Sequence, residues 1–261
     1  MSCSVHARGL SFRYPDGRLA LDDVSLHVAH GERVAILGPN GAGKTTLMLH
    51  LNGLLRGEGA LDVVGLEVTP GSLRALRARV GLVFQDPDDQ LFMPTVEEDV
   101  AFGPLNLGLD RDAVRARVGA ALDAVGMAAT GDRAPHTLSL GQRRRVAIAT
   151  VLAMQPALLV LDEPSANLDP RARRDLVGVL EDVAGTMLLV THDLPLAAQL
   201  CDRAVILDEG RIAADAACTD VLNDPGLLAA HGLELPVGFD LTLVPSRAGR
   251  ACSPSTEVAV A

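Results

Sequence analysis

Gly38-Pro39-Asn40-Gly41-Ala42-Gly43-Lys44-Thr45 decides the reading of this 261-residue chain, because it fits the pattern GxxxxGK[ST] without a gap. Ahead of it, Arg33-Val34-Ala35-Ile36-Leu37 is a compact β-rich run that predicts a buried strand. Behind it, a helix is predicted from about Lys44 to Leu55. Strand, Gly-rich loop and helix in that order form the setting in which the pattern binds phosphate. The glycines let the backbone fold tightly, so that its N–H groups point at phosphate oxygens. The helix N-terminus adds partial positive charge. Lys44 is expected to reach the terminal phosphates, and the Thr45 hydroxyl to ligate Mg2+. Of the 23 basic residues 22 are Arg, and Lys44 is the sole Lys. That singles out a site needing a compact point charge on a flexible stem.

Further along, Leu158-Leu159-Val160-Leu161 predicts a second buried strand, and Asp162-Glu163 sits at its carboxyl end, where ligands bind in open α/β sheets. Asp162 is placed to hold Mg2+, and Glu163 to polarise a water for attack on a γ-phosphate. Val80 to Phe84 and Met187 to Val190 are two more strands. Val24 to Val28 alternates apolar and polar residues within a β-rich section that closes with strands near 60–68. Residues 72–79 are short and helical, and Arg203 to Ile212 reads strand, turn, strand. From about 86 to 156 the spacing is helical and punctuated by Pro87, Pro94, Pro104 and Pro135, which marks an insertion between core strands. The alternation predicts an α/β fold with a largely parallel sheet.

Leu138-Ser139-Leu140-Gly141-Gln142 precedes the Asp162 strand and resembles the LSGGQ signature of the ATP-hydrolysing subunits of ATP-binding-cassette (ABC) transporters, with Leu140 in place of the first Gly. The other motifs of that family follow in order, and the resemblance spans about residues 4–236. It implies a P-loop NTPase (RecA-like) core, an N-terminal antiparallel β subdomain and an inserted helical subdomain. It also implies ATP binding by Tyr14, Gly38, Pro39, Asn40, Gly41, Ala42, Gly43, Lys44, Thr45 and Thr46, with Tyr14 stacking on adenine. Thr45, Gln85 and Asp162 would serve Mg2+, and Glu163 and His192 would be catalytic. Ser139, Gly141 and Gln142 would act on ATP held by a partner subunit, with Asp169 in a loop at that interface. Residues 1–245 then form one ATPase domain, and the Ser/Gly/Ala/Pro-rich stretch 246–261 is expected to be a disordered tail.

Finer resemblance lies in Val83 to Phe92, in Thr95 to Leu109 and in His231 to Pro236, which are similar to energy-coupling-factor importers, especially their cobalt and nickel branch. This implies a homodimer or a heterodimer with a related ATPase, a transmembrane coupling protein and a separate substrate-binding membrane protein. It places the chain peripherally on the cytoplasmic face of the cell membrane. A vitamin importer of the same type is the alternative substrate class.

Composition narrows the field. Acidic residues outnumber basic ones 33 to 23, for a formal charge of −10, and aromatics are scarce: no Trp, one Tyr, five Phe. Coating of nucleic acid is disfavoured, and with it a soluble ABC ATPase acting on ribosomes or DNA. A nucleotide binder without turnover would need neither Glu163 nor His192. Cys3, Cys201, Cys218 and Cys252 show no zinc-type spacing and are expected to be reduced thiols. No stretch reads as a secretory signal or as a membrane span.

Overall fold

The structure, a computed structural model, describes residues 3–244. Cys252 and the expected tail lie outside the described residues. The first section is an antiparallel four-stranded sheet built from β1 (Cys3–Arg13), β2 (Leu19–Ala29), β4 (Glu58–Val63) and β5 (Leu66–Glu67), in the order β2-β1-β4-β5. Between its strands the chain makes β3 (Arg33–Leu37) and α1 (Lys44–Leu51). After it come α2 (Leu73–Arg77) and β6 (Val80–Val83). The helical insertion follows as α3 (Val96–Asn106), α4 (Arg111–Ala124) and α5 (Leu140–Leu152). The chain then alternates β7 (Leu158–Asp162), α6 (Pro170–Asp182), β8 (Thr186–Val190), α7 (Leu194–Leu200) and β9 (Arg203–Asp208). It continues with β10 (Arg211–Ala217), α8 (Cys218–Leu222) and α9 (Pro225–Ala230).

The core sheet has the order β10-β9-β3-β8-β7-β6, and every pair is parallel except the edge pair β10–β9. Its inner strands are apolar in continuous runs because both faces are covered, as parallel sheets require. The period of two then sorts each strand's residues into two cores. Ala35, Leu37, Leu159, Leu161, Met187 and Leu189 pack with helices α3 to α7 on one face. Val34, Ile36, Leu158, Val160, Leu188 and Val190 pack with α1 and the antiparallel sheet on the other. Each Val, Leu, Ile or Met among them contributes about 1.5–3 kcal/mol by leaving water. A one-residue slip in any inner strand would exchange the two sets, so the register is strongly fixed.

This topology positions the site. Strands β3, β8, β7 and β6 are parallel neighbours, so the chain leaves them on one edge of the sheet. There it delivers the 38–43 loop, His192, Asp162-Glu163 and Gln85. Two helices of the insertion start at reciprocal caps. Thr95 and Glu98 cap α3, and Ser139 and Gln142 cap α5, each pair satisfying two otherwise open backbone N–H groups. One predicted boundary moves: α1 ends at Leu51, not near Leu55. Past Asn52 the Gly53 N–H donates to the His50 carbonyl and the Leu54 N–H to the Leu49 carbonyl, a reversed pair of bonds that closes the helix.

Candidate functional site

The loop before α1 is a tight cradle. Gly38 has φ 146° and Gly43 φ 103°. A Cβ built on Gly38 would sit 2.0 Å from the Leu207 carbonyl oxygen, and one on Gly43 2.2 Å from that of Ala20. Both contacts are to backbone and cannot yield cheaply. Gly38→Ala is therefore expected to destabilise the fold by about 2 kcal/mol or more, read as a lower urea midpoint with unchanged m-value. An unchanged midpoint would contradict this packing.

Lys44 opens α1 and is 7% exposed. Its Nζ donates to the carbonyl oxygens of Gly38 at 2.8 Å and Pro39 at 2.9 Å. Burial pulls its pKa below the ordinary lysine value, against the opposing pull of the Glu163 and Asp162 carboxylates. The ammonium is thus folded over the loop's own carbonyls, at the end of a flexible stem that can swing to a phosphate.

Thr45 Oγ1 donates to Asp162 Oδ2 at 3.0 Å. Burial raises the Asp162 pKa, and the adjacent Glu163 charge adds to that, while the Thr45 hydrogen bond and Lys44 oppose it. A hydroxyl, a desolvated carboxylate and the Gln85 amide bordering one cleft form a hard-oxygen donor set, which is the chemistry Mg2+ takes. The residues fit that ion, and its charge would favour the ionised carboxylate.

Glu163 follows in a left-handed conformation, φ 43°, unusual for a residue with a Cβ. It is 7% exposed. Thr191 Oγ1 donates to its Oε2 at 3.0 Å, and the His192 backbone N–H to its Oε1 at 3.0 Å. His192 Nδ1 lies 2.7 Å from the same Oε1. The carboxylate only accepts, so Nδ1 carries the proton in this contact. Behind His192, Asp193 caps α7 through the Leu196 N–H and accepts from Ser165 and Arg173. Burial alone would raise the Asp193 pKa, but these donors together hold it below the usual value. The segment carrying His192 is therefore anchored.

A cleft of about 220 Å3 brings most of the predicted residues together. Asn40, Gly41, Gly43, Lys44, Thr45 and Thr46 supply one wall; Gln85, Asp162 and Glu163 supply another. Tyr14 lines the entrance, its hydroxyl 3.0 Å from Thr46 Oγ1, with the Arg18 guanidinium 4.8 Å from its ring centroid. Gly38, Pro39 and Ala42 shape the loop from beneath. His192 reaches the site through Glu163. Ser139, Gly141, Gln142 and Asp169 do not line this cleft. Ser139 is exposed at the start of α5. Gly141 is small for a reason within the chain as well, since a Cβ there would lie 2.7 Å from Ala172 Cβ of α6. Asp169 Oδ1 caps α6 through the Arg171 and Ala172 N–H groups.

Three participants were not picked out from the sequence. Thr191, fully buried, orients Glu163. Arg18 lies over Tyr14. Arg144, 3% exposed, donates to the Glu163 carbonyl oxygen at 2.6 Å. A signal for Arg144 existed: it lies in helical register with the apolar residues Ala147, Ile148 and Val151, so an α5 facing the core must bury it. Among the described residues no group of three or more His, Cys, Asp or Glu is placed to hold a metal ion, and no helix is long and apolar enough to cross a membrane.

Comparison with known proteins agrees with this geometry. The ABC transporter family profile matches residues 21–166. A Streptomyces coelicolor protein is 60% identical over 238 residues, 91% of this chain and 92% of its own length; its name gives an ABC transporter ATP-binding role and no substrate. The cobalt import ATP-binding protein CbiO of Rhodobacter capsulatus is 48% identical over 271 residues, covering 100% of this chain and 97% of that protein. The energy-coupling factor transporter ATP-binding protein EcfA of Methanothermobacter thermautotrophicus is 44% identical over 91% of this chain and 78% of its own length. The solved structure of CbiO1 from Clostridium perfringens, described as part of the ABC transporter complex CbiONQ, superposes with a TM-score of 0.79 at 35% identity, covering 90% of this chain and 97% of that one.

Proposed function

We propose, from the premise that the chain belongs to the ABC transporter ATPase family, that it is the energy-coupling subunit of a membrane importer for cobalt or nickel ions. Hydrolysis of ATP is the activity of that family, and homologues of the energy-coupling and cobalt-import type match this chain over nearly its whole length. The observation that carries the importer reading is the similarity to CbiO, which runs end to end in both proteins.

The site residues support a division of labour. The loop amides and Lys44 bind and neutralise the phosphates, and Tyr14 with Arg18 beside it offers a face for the adenine. Mg2+, held by Thr45 and Asp162 near Gln85, would supply charge neutralisation on the phosphates. Glu163, its oxygens held by Thr191 and His192, is placed to orient a water and take its proton, with His192 facing the terminal phosphate. Electrostatic stabilisation by groups fixed beforehand costs no rearrangement at the moment of reaction.

One chain leaves this site half built. Ser139, exposed, and Gln142, half-buried, stand at the start of α5 and do not border the cleft of their own chain. This supports a head-to-tail dimer in which each signature segment meets the ATP of the other subunit. Phe92 is 63% exposed and meets Phe102, 42% exposed, edge to face at 5.0 Å. An aromatic pair left in solvent beside the acidic turn at 87–89 supports contact of that loop with the transmembrane coupling protein. ATP can move such a partner only through its different affinity for closed and open dimers.

The substrate is tested by uptake. Cells expressing this chain with its neighbouring genes should accumulate labelled Co2+ or Ni2+ at least about tenfold above cells carrying Glu163→Gln, the general-base loss expressed as transport. Glu163-dependent accumulation of a vitamin with no metal uptake would keep the ATPase and overturn the metal assignment.

A further inference from the structure

The chain buries an arginine beside its catalytic carboxylate and gives it few partners. Arg144 lies in the first turns of α5, the helix that begins at the signature segment, and is 3% exposed. Its Nη1 donates to the main-chain carbonyl of Glu163 at 2.6 Å, while its Nε has no hydrogen-bond partner among the described residues. Among the described residues no carboxylate forms an ion pair with it. The acidic groups acting on it are Asp86 and Glu163, and it borders a second cleft with Gln85, Asp86, Asp162 and Asn167. Desolvating a guanidinium is costly, and an apolar side chain in this register would pack against the same core.

The hydrogen bond it makes falls on an unusual peptide. Glu163 is held at φ 43°, and its carboxylate direction follows from that backbone conformation. A non-glycine residue stays there only when its surroundings over-determine it. The Glu163 N–H donates to the Val190 carbonyl at 2.8 Å, which fixes one side of the residue to β8. The Arg144 bond to the Glu163 carbonyl fixes the other side, from α5. We infer that Arg144 is a positioning residue for hydrolysis, locking the backbone of Glu163 so that its carboxylate faces the γ-phosphate water only while α5 is seated. This rests on the reading of Glu163 as the general base. The α5 helix is also tied to the turn after Gln85, by Arg143 to both oxygens of Asp88 and by Gln90 to the Ala147 carbonyl and Thr150 Oγ1. A displacement of that turn is thereby passed to the base.

The test compares Arg144→Met and Arg144→Lys with wild type in the full-length chain, each in a Glu163 and a Glu163→Gln background, with ATP as the probe. Arg144→Met should lower kcat by about 10- to 100-fold, since misplacement near 1 Å costs that much, while KM and ATP affinity stay within about twofold. Arg144→Lys, which keeps a donor, should restore part of that loss. In the Glu163→Gln background neither substitution should lower the residual rate further, because residues acting as a unit are not additive. Equal fractional losses in both backgrounds, or a loss confined to ATP affinity, would overturn the inference. If Arg144→Met fails to fold, Arg144→Lys carries the same comparison: a kcat loss in the Glu163 background alone supports the role, and unchanged kcat overturns it. Should Glu163→Gln itself leave turnover intact, the general-base reading is what has failed.

Discussion

Glu163→Gln is expected to retain ATP binding, to lose hydrolysis by about 100- to 10,000-fold, the range a general base supplies, and to accumulate as an ATP-bound dimer. The substitution is nearly isosteric. The amide oxygen can still accept from the His192 backbone N–H, as Oε1 does now at 3.0 Å. The Thr191 hydroxyl, which now donates to Oε2, can rotate to accept from the new amide. Geometry is therefore kept and proton affinity is removed. Because the two ATP molecules are then not consumed, the closed state should persist, and size-exclusion chromatography with light scattering should show a doubled mass with Mg-ATP and not with ADP. Turnover equal to wild type would show that the proton goes elsewhere.

Lys44→Ala acts a step earlier and should weaken ATP binding by about 100-fold or more, the order of 3 kcal/mol expected when one partner of a desolvated charge contact is removed. Calorimetric titration reads it directly. The chain supplies an internal control, since it uses Arg at 22 of its 23 basic positions. Lys44→Arg should not recover the affinity. Lys44 is 7% exposed and its ammonium meets two loop carbonyls, and a planar guanidinium does not reproduce that compact point charge on a flexible stem. Unchanged affinity in Lys44→Ala would remove the basis for assigning the loop to phosphate.

Local pattern made the skeleton of this molecule legible. The apolar runs at 33–37, 80–83, 158–162 and 186–190 are the four strands that deliver the site, and the loop, the Asp162-Glu163 pair and His192 follow them as their positions in the chain imply. Strand order was not legible, because β3 pairs with β8 and β9, more than 140 residues away, through contacts no local period encodes. The end of α1 was misplaced because Leu54 and Leu55 continue the apolar pattern, while the turn at Gly53 stops the helix through backbone bonds alone. Arg144 stands in a run of three arginines, and its one sequence signal is its helical register with Ala147, Ile148 and Val151. The seating of α5 shows that this middle arginine points inward while Arg143 reaches the acidic turn. Ser139 is the opposite case: its cap on α5 is visible in the structure, and the role proposed for it toward a second subunit rests on what the cleft of one chain lacks.

This ATPase is proposed to work on a membrane protein. The direct measurement is purification of the tagged, full-length chain, expressed with its neighbouring genes, from detergent-solubilised membranes, followed by mass spectrometry. Recovery of a transmembrane coupling protein and a substrate-binding membrane protein with the ATPase is the result predicted. Recovery of the chain only from the soluble fraction, bound to ribosomes or DNA, would contradict the account and leave the ATP-hydrolysing core without a transport role.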